Sequence, residues 1–437
     1  MRLLATTLAL AASLSAQIHV DDDAPNDPGP NDPTISDPLE DGSSAHPFDS
    51  IQEAINATTG ITVPIFLEPG RYAGPGNRGI VTGKSFRLSG RRGADETIID
   101  LENAANFLTS SGTIQLDGLK VINGSGVNAG AFENTSAFAE VWILHCIFVN
   151  NHATGSGAAG GALTIRGTLE CNNNAFLLNT TTGNGGAIAI AGNSTSAEDH
   201  AIVQCTLRQN RADGDGGGVW FDGTSTAPIV RTVWDSILWN NVAVAGSGSQ
   251  IGEATAGSAL VANCIVDGGW SGPGGSLLTS DPQFPYLRDF HLGLNSPARG
   301  LAGGLLCTID PIDADAQNRN CGVGSTDLGA DDYQPITFTS GPAGPGAPLI
   351  VRVAGAAAAQ TVTLVVGFTL ADPPIQTSFG LLEVQDSNPL FFSMPATDGN
   401  GVSTLQASLA GLPSGLDIVL QALVGSQLAN GTTFQVP

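Results

Sequence analysis

Cys146-Ile-Phe-Val-Asn-Asn151 is one of six related phrases that decide the fold, the others being Leu119-Lys-Val-Ile-Asn-Gly124, Asn174-Ala-Phe-Leu-Leu-Asn179, Cys205-Thr-Leu-Arg-Gln-Asn210, Ser236-Ile-Leu-Trp-Asn-Asn241 and Cys264-Ile-Val-Asp-Gly-Gly269. Their first residues, 119, 146, 174, 205, 236 and 264, lie 27, 28, 31, 31 and 28 apart. A phrase with strand-like alternation and no helical spacing, recurring at this period, marks a solenoid whose coils stack to share one core.

Within the phrase the third position is always apolar (Val121, Phe148, Phe176, Leu207, Leu238, Val266), whereas the fourth ranges over Ile122, Val149, Leu177, Arg208, Trp239 and Asp267. Successive residues of a strand face opposite ways, so the third column is expected inside and the fourth outside. The sixth position is Asn or Gly throughout. These types accept a left-handed turn conformation at low cost, and stacked asparagines can also form an amide ladder.

Gly160-Gly-Ala-Leu-Thr-Ile165, Gly185-Gly-Ala-Ile-Ala-Ile190 and Gly216-Gly-Gly-Val-Trp-Phe221 add a sharp glycine corner and a second strand to three coils. On these features the chain resembles the pectin-lyase-like right-handed parallel β-helix superfamily. The paired phrases Phe176 to Asn179 and Gly185 to Ile188 are similar to the FxxN and GGA(I/L) repeats of the polymorphic outer membrane proteins, a bacterial adhesin family.

Both ends of the solenoid carry further signals. Ser50 and Glu53 form a capping-box pattern, and Phe48, Ile51, Ala54 and Ile55 share one face, which predicts a helix over about 48–56 that lids the first coil. The run Asp41-Gly-Ser, His46-Pro-Phe-Asp-Ser-Ile-Gln-Glu-Ala-Ile55 and Leu67-Glu-Pro-Gly-Arg-Tyr72 is similar to the opening of bacterial secreted β-helix proteins. Asp281-Pro-Gln-Phe284, Asp289-Phe-His-Leu292, Ser296-Pro-Ala298, Asp315 with Arg319 and Asp327-Leu-Gly-Ala330 resemble the closing segment of surface-anchored members. That resemblance implies a cap over about 281–331, followed by a variable anchoring or sorting module.

Arg2, the apolar run Leu3 to Leu14 and Ser15-Ala16 read as a cleaved signal peptide over 1–16, which implies a secreted or cell-surface protein. Residues 17–46, rich in Asp, Pro, Asn and Gly, read as irregular. Beyond Pro335 the charge almost vanishes, and seven short runs (349–353, 361–366, 381–384, 390–393, 402–405, 417–422, 433–436) suggest an immunoglobulin-like β-sandwich over 336–437. The expected architecture is therefore all-β: a right-handed parallel β-helix with a helical cap over 17–335, then a small sandwich with an accessory or sorting role.

Sixteen Lys and Arg against 40 Asp and Glu give a net charge of −24, which disfavours nucleic acid and anionic membranes as partners. No later stretch is apolar for long enough to form a membrane helix. Of the six cysteines, Cys146 and Cys205 share a column two coils apart. At ~10 Å they are beyond disulfide reach and are expected as buried free thiols. Cys171 and Cys264 have no evident mate, whereas Cys307 and Cys321 bracket a short loop and are expected to be bonded.

The superfamily resemblance implies, for its lyases, calcium-binding acids beside an Arg or Lys base, and for its hydrolases clustered aspartates. Lys84 and Lys120 are the only lysines, and Asp213, Asp215 and Asp222 are the nearest approach to an acid cluster. Paired carboxylates at ~5–10 Å could act as acid and nucleophile or base; surface loop acids are the commoner alternative. Trp220 and Trp239 fall at outward positions where an indole can stack on a sugar ring, or can pack under a loop. Asp21, Asp22 and Asp23 could take Ca²⁺, or form a solvated acidic loop. His145 and His152 flank one coil without partners at metal-ligand spacing. Two functions are expected: a non-catalytic exported β-helix that binds an extracellular polysaccharide or cell-surface component in adhesion, or a lyase or hydrolase of an acidic polysaccharide.

Overall fold

The computed structural model describes residues 17–22, 39–190, 199–222, 230–284, 290–292, 295–302, 314, 326–331, 337–342, 349–354, 359–368, 370–377, 380–384, 389–398, 402–408, 416–424 and 427–435. The proposed signal segment 1–16, Asp23, Cys307 and Cys321 lie outside them. The chain divides into two units, Met1–His291 with Pro297–Asp332, and Leu292–Ser296 with Tyr333–Pro437.

In the first unit each recurrent phrase is one side of a coil. The coil from Glu140 to Ile165 has a strand on wall 1 (Glu140–Leu144), a strand on wall 2 (Ile147–Val149), a two-residue strand on a short wall (His152–Ala153) and a strand on wall 3 (Leu163–Ile165). Each pairs in parallel with its counterpart in the next coil: Val141 with Leu169, Phe148 with Phe176, His152 with Thr180, Leu163 with Ile188. Repetition builds parallel sheets of ten, eight, five and seven strands, so the unit is a parallel β-solenoid. Ile51–Ala57 is its one helix among the described residues.

The predicted third column is a continuous inward stack. Val121, Phe148, Phe176, Leu207, Leu238 and Val266 are successive register partners, all buried. Phe148 and Phe176 lie ring on ring, 5.1 Å between centroids and 4° from parallel. A coil-to-coil rise of ~4.8 Å brings equivalent rings to stacking distance, so the parallel register itself produces the pair.

At the corners the structure corrects the turn assignment. The left-handed non-glycine residues are those of the fifth column, Asn123, Asn150, Leu178, Gln209 and Asn240, and those just before the phrase, His145, Asn173, Gln204, Asp235 and Asn263, with φ between 47° and 58°; in the sixth column Gly269, φ 82°, takes that conformation as expected. Sixth-column Asn151, Asn179, Asn210 and Asn241 are instead buried and form the ladder. Asn151 Nδ2 donates to Asn179 Oδ1 at 3.0 Å, Asn179 Nδ2 to Asn210 Oδ1 at 3.0 Å and Asn210 Nδ2 to Asn241 Oδ1 at 2.9 Å. Asn241 Nδ2 then donates to Gln250 Oε1 at 2.7 Å, which ends the row. Each carboxamide oxygen also accepts the backbone N–H of the preceding rung, and each amide also donates to a third-column carbonyl such as Phe148 O. An inward polar residue is thereby satisfied without water.

The glycine corner is sterically required. Gly160, Gly185 and Gly216 have φ of +69°, +74° and +66°, and a Cβ on Gly160 would lie 1.9 Å from Leu163 O.

Ser50 is the helix N-cap: its hydroxyl accepts the Glu53 N–H and donates to Glu53 Oε2 at 2.6 Å. Ile51, Ala54 and Ile55 join the solenoid core, with Phe48 and Val63 packed beside them. Lys84 Nζ donates to the carbonyls of Ile55, Asn56 and Thr58 at the helix C-terminus, placing a cation where the helix dipole is negative. Residues 17–46, read as irregular, contain a strand after all. Ile18–Val20 pairs in parallel with Ile65–Leu67 as the first strand of wall 1, because Ile18 and Val20 turn inward.

At the other end, Trp270 and Leu277 pack on the core where the last coil finishes. The closing segment, expected as a cap over 281–331, makes its described contacts on the side of the tube. Phe290, Ala314 and Ala330 pack on the outer face of wall 2 against Ile147, Ala175 and Leu177. Ala330 N donates to Thr206 Oγ1, Gly329 N to Asp235 O and Gln204 Nε2 to Thr326 Oγ1, at 2.8–3.2 Å. Outward apolar residues on wall 2 give this strap a surface to bury.

The second unit is antiparallel. Thr337–Pro342, Leu349–Ala354 and Ser403–Ala407 make one sheet; Leu390–Met394, Val362–Gly367, Asp417–Val424 and Gln427–Gln435 make another; Leu370–Thr377 pairs with Gly380–Val384. Leu349, Val351 and Val353 of the first sheet share one core with Val362, Leu364, Ile418 and Leu420 of the second. All seven expected strands are present, and two more occur among the described residues, Thr337–Pro342 and Leu370–Thr377.

Candidate functional site

Covering decides which wall can meet a partner. Part of wall 2 lies beneath the strap: Thr206 and Ile237 are fully buried, and Arg208, outward by register, is 6% exposed with its guanidinium 4.4 Å from the Phe284 ring centroid, whereas Lys120, Ile122, Val149 and Trp239 are half-buried. On wall 3 the outward Thr164 and Ala189 are buried, and Thr164 Oγ1 donates to Asn128 O at 2.9 Å, so the coil's own turns fold over this side. Wall 1 differs. Its outward residues Gln115, Trp142, Glu170 and Thr232 in one column, and Asp117, Asn172 and Trp234 in the next, are all half-buried or exposed.

Wall 1 therefore presents a long strip of accessible side chains among the described residues. Trp234 is 45% exposed and Trp142 half-buried, three coils apart, hence ~14 Å along the axis. Between them Glu170 and Asn172 are followed by the apolar Ala201 and Val203 and then Thr232, which suits an extended ligand that stacks at two points and hydrogen-bonds beside them. Asp117 anchors one edge, its Oδ1 2.9 Å from His145 Nδ1 and its Oδ2 accepting from Arg87 Nη2 at 3.4 Å.

The tryptophans singled out from sequence lie on the other walls. Trp220 is on wall 3 between Ala189 and Gly252, whose added Cβ would come within 3.0 Å of Trp220 Cε3. Trp239 is on wall 2 beside Arg208. Trp142 and Trp234 passed unnoticed because wall 1 strands share no letters beyond their alternation, which is visible in Glu140-Val-Trp-Ile-Leu144 and Val230-Arg-Thr-Val-Trp234.

Asp213 and Asp215 share the turn between Arg211–Ala212 and Val219–Phe221, and Asp222 follows that second strand. Asp213 is ion-paired with Arg211 Nη2 at 2.7 Å. Asp215 Oδ1 accepts the Ser247 hydroxyl at 3.0 Å and the Ser247 N–H, bracing the next coil. The charge of Asp222 acts on Arg231, whose Nη2 also donates to the Asp222 carbonyl at 2.6 Å. Each acid thus has a structural partner. The two lysines are likewise engaged, Lys84 at the helix end and Lys120 with Asp95 Oδ1 at 3.2 Å.

Of the aspartate triplet, Asp22 is buried and accepts the Arg71 N–H at 3.1 Å, against the face of Gly70, and Asp21 N donates to Phe48 O. Among the described residues the acids that gather with oxygens within 4.8 Å of one another are Glu40, Asp49 and Glu53. Two of these already serve the backbone and the cap: Glu40 accepts the Asp49 N–H, and Glu53 takes the Ser50 hydroxyl. His145 and His152 have partners in Asp117 and Thr180. Cys146, Cys171, Cys205 and Cys264 are buried free thiols, and Cys171 has a neighbour the sequence did not reveal, its Sγ 3.8 Å from Cys205 Sγ.

No helix among the described residues is long and apolar enough to cross a membrane. No family model matches the chain, and none of the curated proteins matches it.

Proposed function

We propose that this is an exported, non-catalytic β-helix protein of the pectin-lyase-like class that binds an extended extracellular polysaccharide, or a cell-surface component bearing one, along the outer face of wall 1. One observation carries this reading: among the described residues wall 1 holds the exposed Trp234 and the half-buried Trp142, with Glu170, Asn172 and Thr232 able to hydrogen-bond beside them. The structural partners of Asp213, Asp215, Lys84 and Lys120 favour binding over lyase or hydrolase chemistry. Export rests on the residues 1–16 read above.

Replacing Trp142 and Trp234 together by Ala is expected to weaken retention on a panel of insoluble and gel-embedded polysaccharides by about tenfold or more, two lost stacks at roughly 1 kcal/mol each. Affinity electrophoresis with calcium present would measure it. Unchanged mobility would remove the wall 1 site, and new reducing ends or unsaturated products made by the unmutated chain would replace binding with catalysis.

For the second unit the reading is surface attachment, argued from its position after an exported solenoid. A chain ending at residue 335 is expected to shift from the cell-associated fraction to the medium. Equal partition of the two forms would leave the unit an accessory role.

A further inference from the structure

We propose that Cys171 and Cys205 form a disulfide that ties successive coils of the solenoid together. Cys171 lies on wall 1 in register between Ile143 and Ile202, and Cys205 follows Ile202 by three residues at the corner into wall 2. Both side chains point into the core with no exposed surface, and their sulfurs are 3.8 Å apart. A disulfide needs ~2 Å, so rotation about the two Cα–Cβ bonds has to close less than another ~2 Å. Within its own column Cys205 is kept from the other thiols. In the phrase's first column, Cys146 is separated from Cys205 by Asn174, and Cys264 by Ser236, whose side chains bond the backbone N–H groups of Cys146 and Cys205.

Burial, and then the adjacent Cys205, push the Cys171 thiol well above its ordinary range, and neither sulfur has exposed surface through which an oxidant could reach it in the folded chain. The bond therefore forms while the coils are assembling. Two S–H bonds break and one S–S bond forms. The two electrons and two protons pass to a disulfide-containing oxidant, a small molecule or a protein of the extracytoplasmic space, which leaves as two thiols. The closed loop spans 34 residues of sequence separation and links wall 1 of one coil to the corner of the next.

Oxidising conditions in the cell rest on the export reading, whereas the chemistry can be tested apart from it. The full chain is unfolded, reduced and refolded with glutathione disulfide, then trapped with iodoacetamide in denaturant and mapped by mass spectrometry. The expected product carries a Cys171–Cys205 cross-linked peptide and melts roughly 5 °C above the same chain refolded under dithiothreitol. With Cys307 and Cys321 both replaced by Ser in every chain compared, Cys171→Ser and Cys205→Ser each abolish that difference, and Cys146→Ser leaves it. Alkylation of both Cys171 and Cys205, or their pairing with Cys146 or Cys264, would overturn the proposal. The same trapping on chain taken directly from the producing cells covers the case in which refolding fails: a bridge there supports the proposal, and free thiols in an extracytoplasmic fraction refute it. A chain found only in the cytoplasm would count against export and leave the refolding result to decide the bridge.

Discussion

Replacing Asn179 by Gly is expected to destabilise its coil by about 4 kcal/mol, although glycine is the residue best suited to a left-handed turn. Asn179 is fully buried, and its Oδ1 accepts both the Asn151 N–H at 3.1 Å and the Asn151 amide at 3.0 Å. Its own amide bonds Phe148 O and Asn210 Oδ1. Removing the side chain strands two buried donors, at about 1–3 kcal/mol each, and adds a void. Asn150→Gly supplies the contrast. Asn150 is exposed with φ 57°, so glycine there relieves a strained backbone, and the change should stay within about 0.5 kcal/mol. Native-state hydrogen exchange reads both locally: protection of the Asn151 N–H should fall about a thousandfold in the first variant and hold in the second. Equal behaviour of the two variants would mean that the ladder contributes nothing beyond a turn.

That pair of asparagines also shows where sequence reading stops. The alternation of Val121, Phe148, Phe176 and Leu207 against a variable outer column needs only the period, and the register reproduces it rung by rung. Adjacent asparagines at the fifth and sixth positions, as in Asn150 and Asn151, are chemically identical, and only the backbone path decides which takes the left-handed corner and which turns inward. The capping box at Ser50 was legible because it is local. The strap was not: Gln204 with Thr326, and Thr206 with Ala330, meet across 122 and 124 residues, with no repeat to announce them.

Function was less legible for a related reason. Exposure depends on what the strap and the turns cover: Trp142, Trp220 and Trp239 are all half-buried and Trp234 is exposed, a ranking that the letters alone do not carry. Cys171 and Cys205 occupy different columns, and their contact across a corner follows from the fold and not from spacing. In the second unit Leu370–Thr377 escaped notice because Pro373 and Pro374 interrupt it; it pairs on one side only, with a register shift between Leu370 and Ile375, the setting that tolerates proline.

Acidification should weaken the solenoid through His200. This residue holds the inward column of wall 1, in register between Leu169 and Arg231, where earlier coils place Ile114 and Val141. Burial, and next the charge of Arg231, depress its pKa from 6.5 to about 4. Arg231, the register partner of His200, is itself held below its usual range by burial, opposed by Asp222 and Glu253. In the window from about pH 6.5 down to 4 the unfolded chain binds a proton that the folded chain refuses. Stability is thus intact above 6.5, falls as the pH drops through the window and levels off below 4, a loss of about 3 kcal/mol by order of magnitude. His200→Leu puts an apolar side chain where Leu169 already sits one coil earlier, so the variant should match the unmutated protein within about 1 kcal/mol near neutrality and exceed it by about 3 near pH 4. Carboxylate titration lowers both curves alike, so the difference between urea midpoints isolates the histidine. Parallel curves over that range would show that His200 takes up its proton inside the folded tube, with water or a carboxylate reaching the ring, and would move the origin of acid sensitivity to the surface ion pairs.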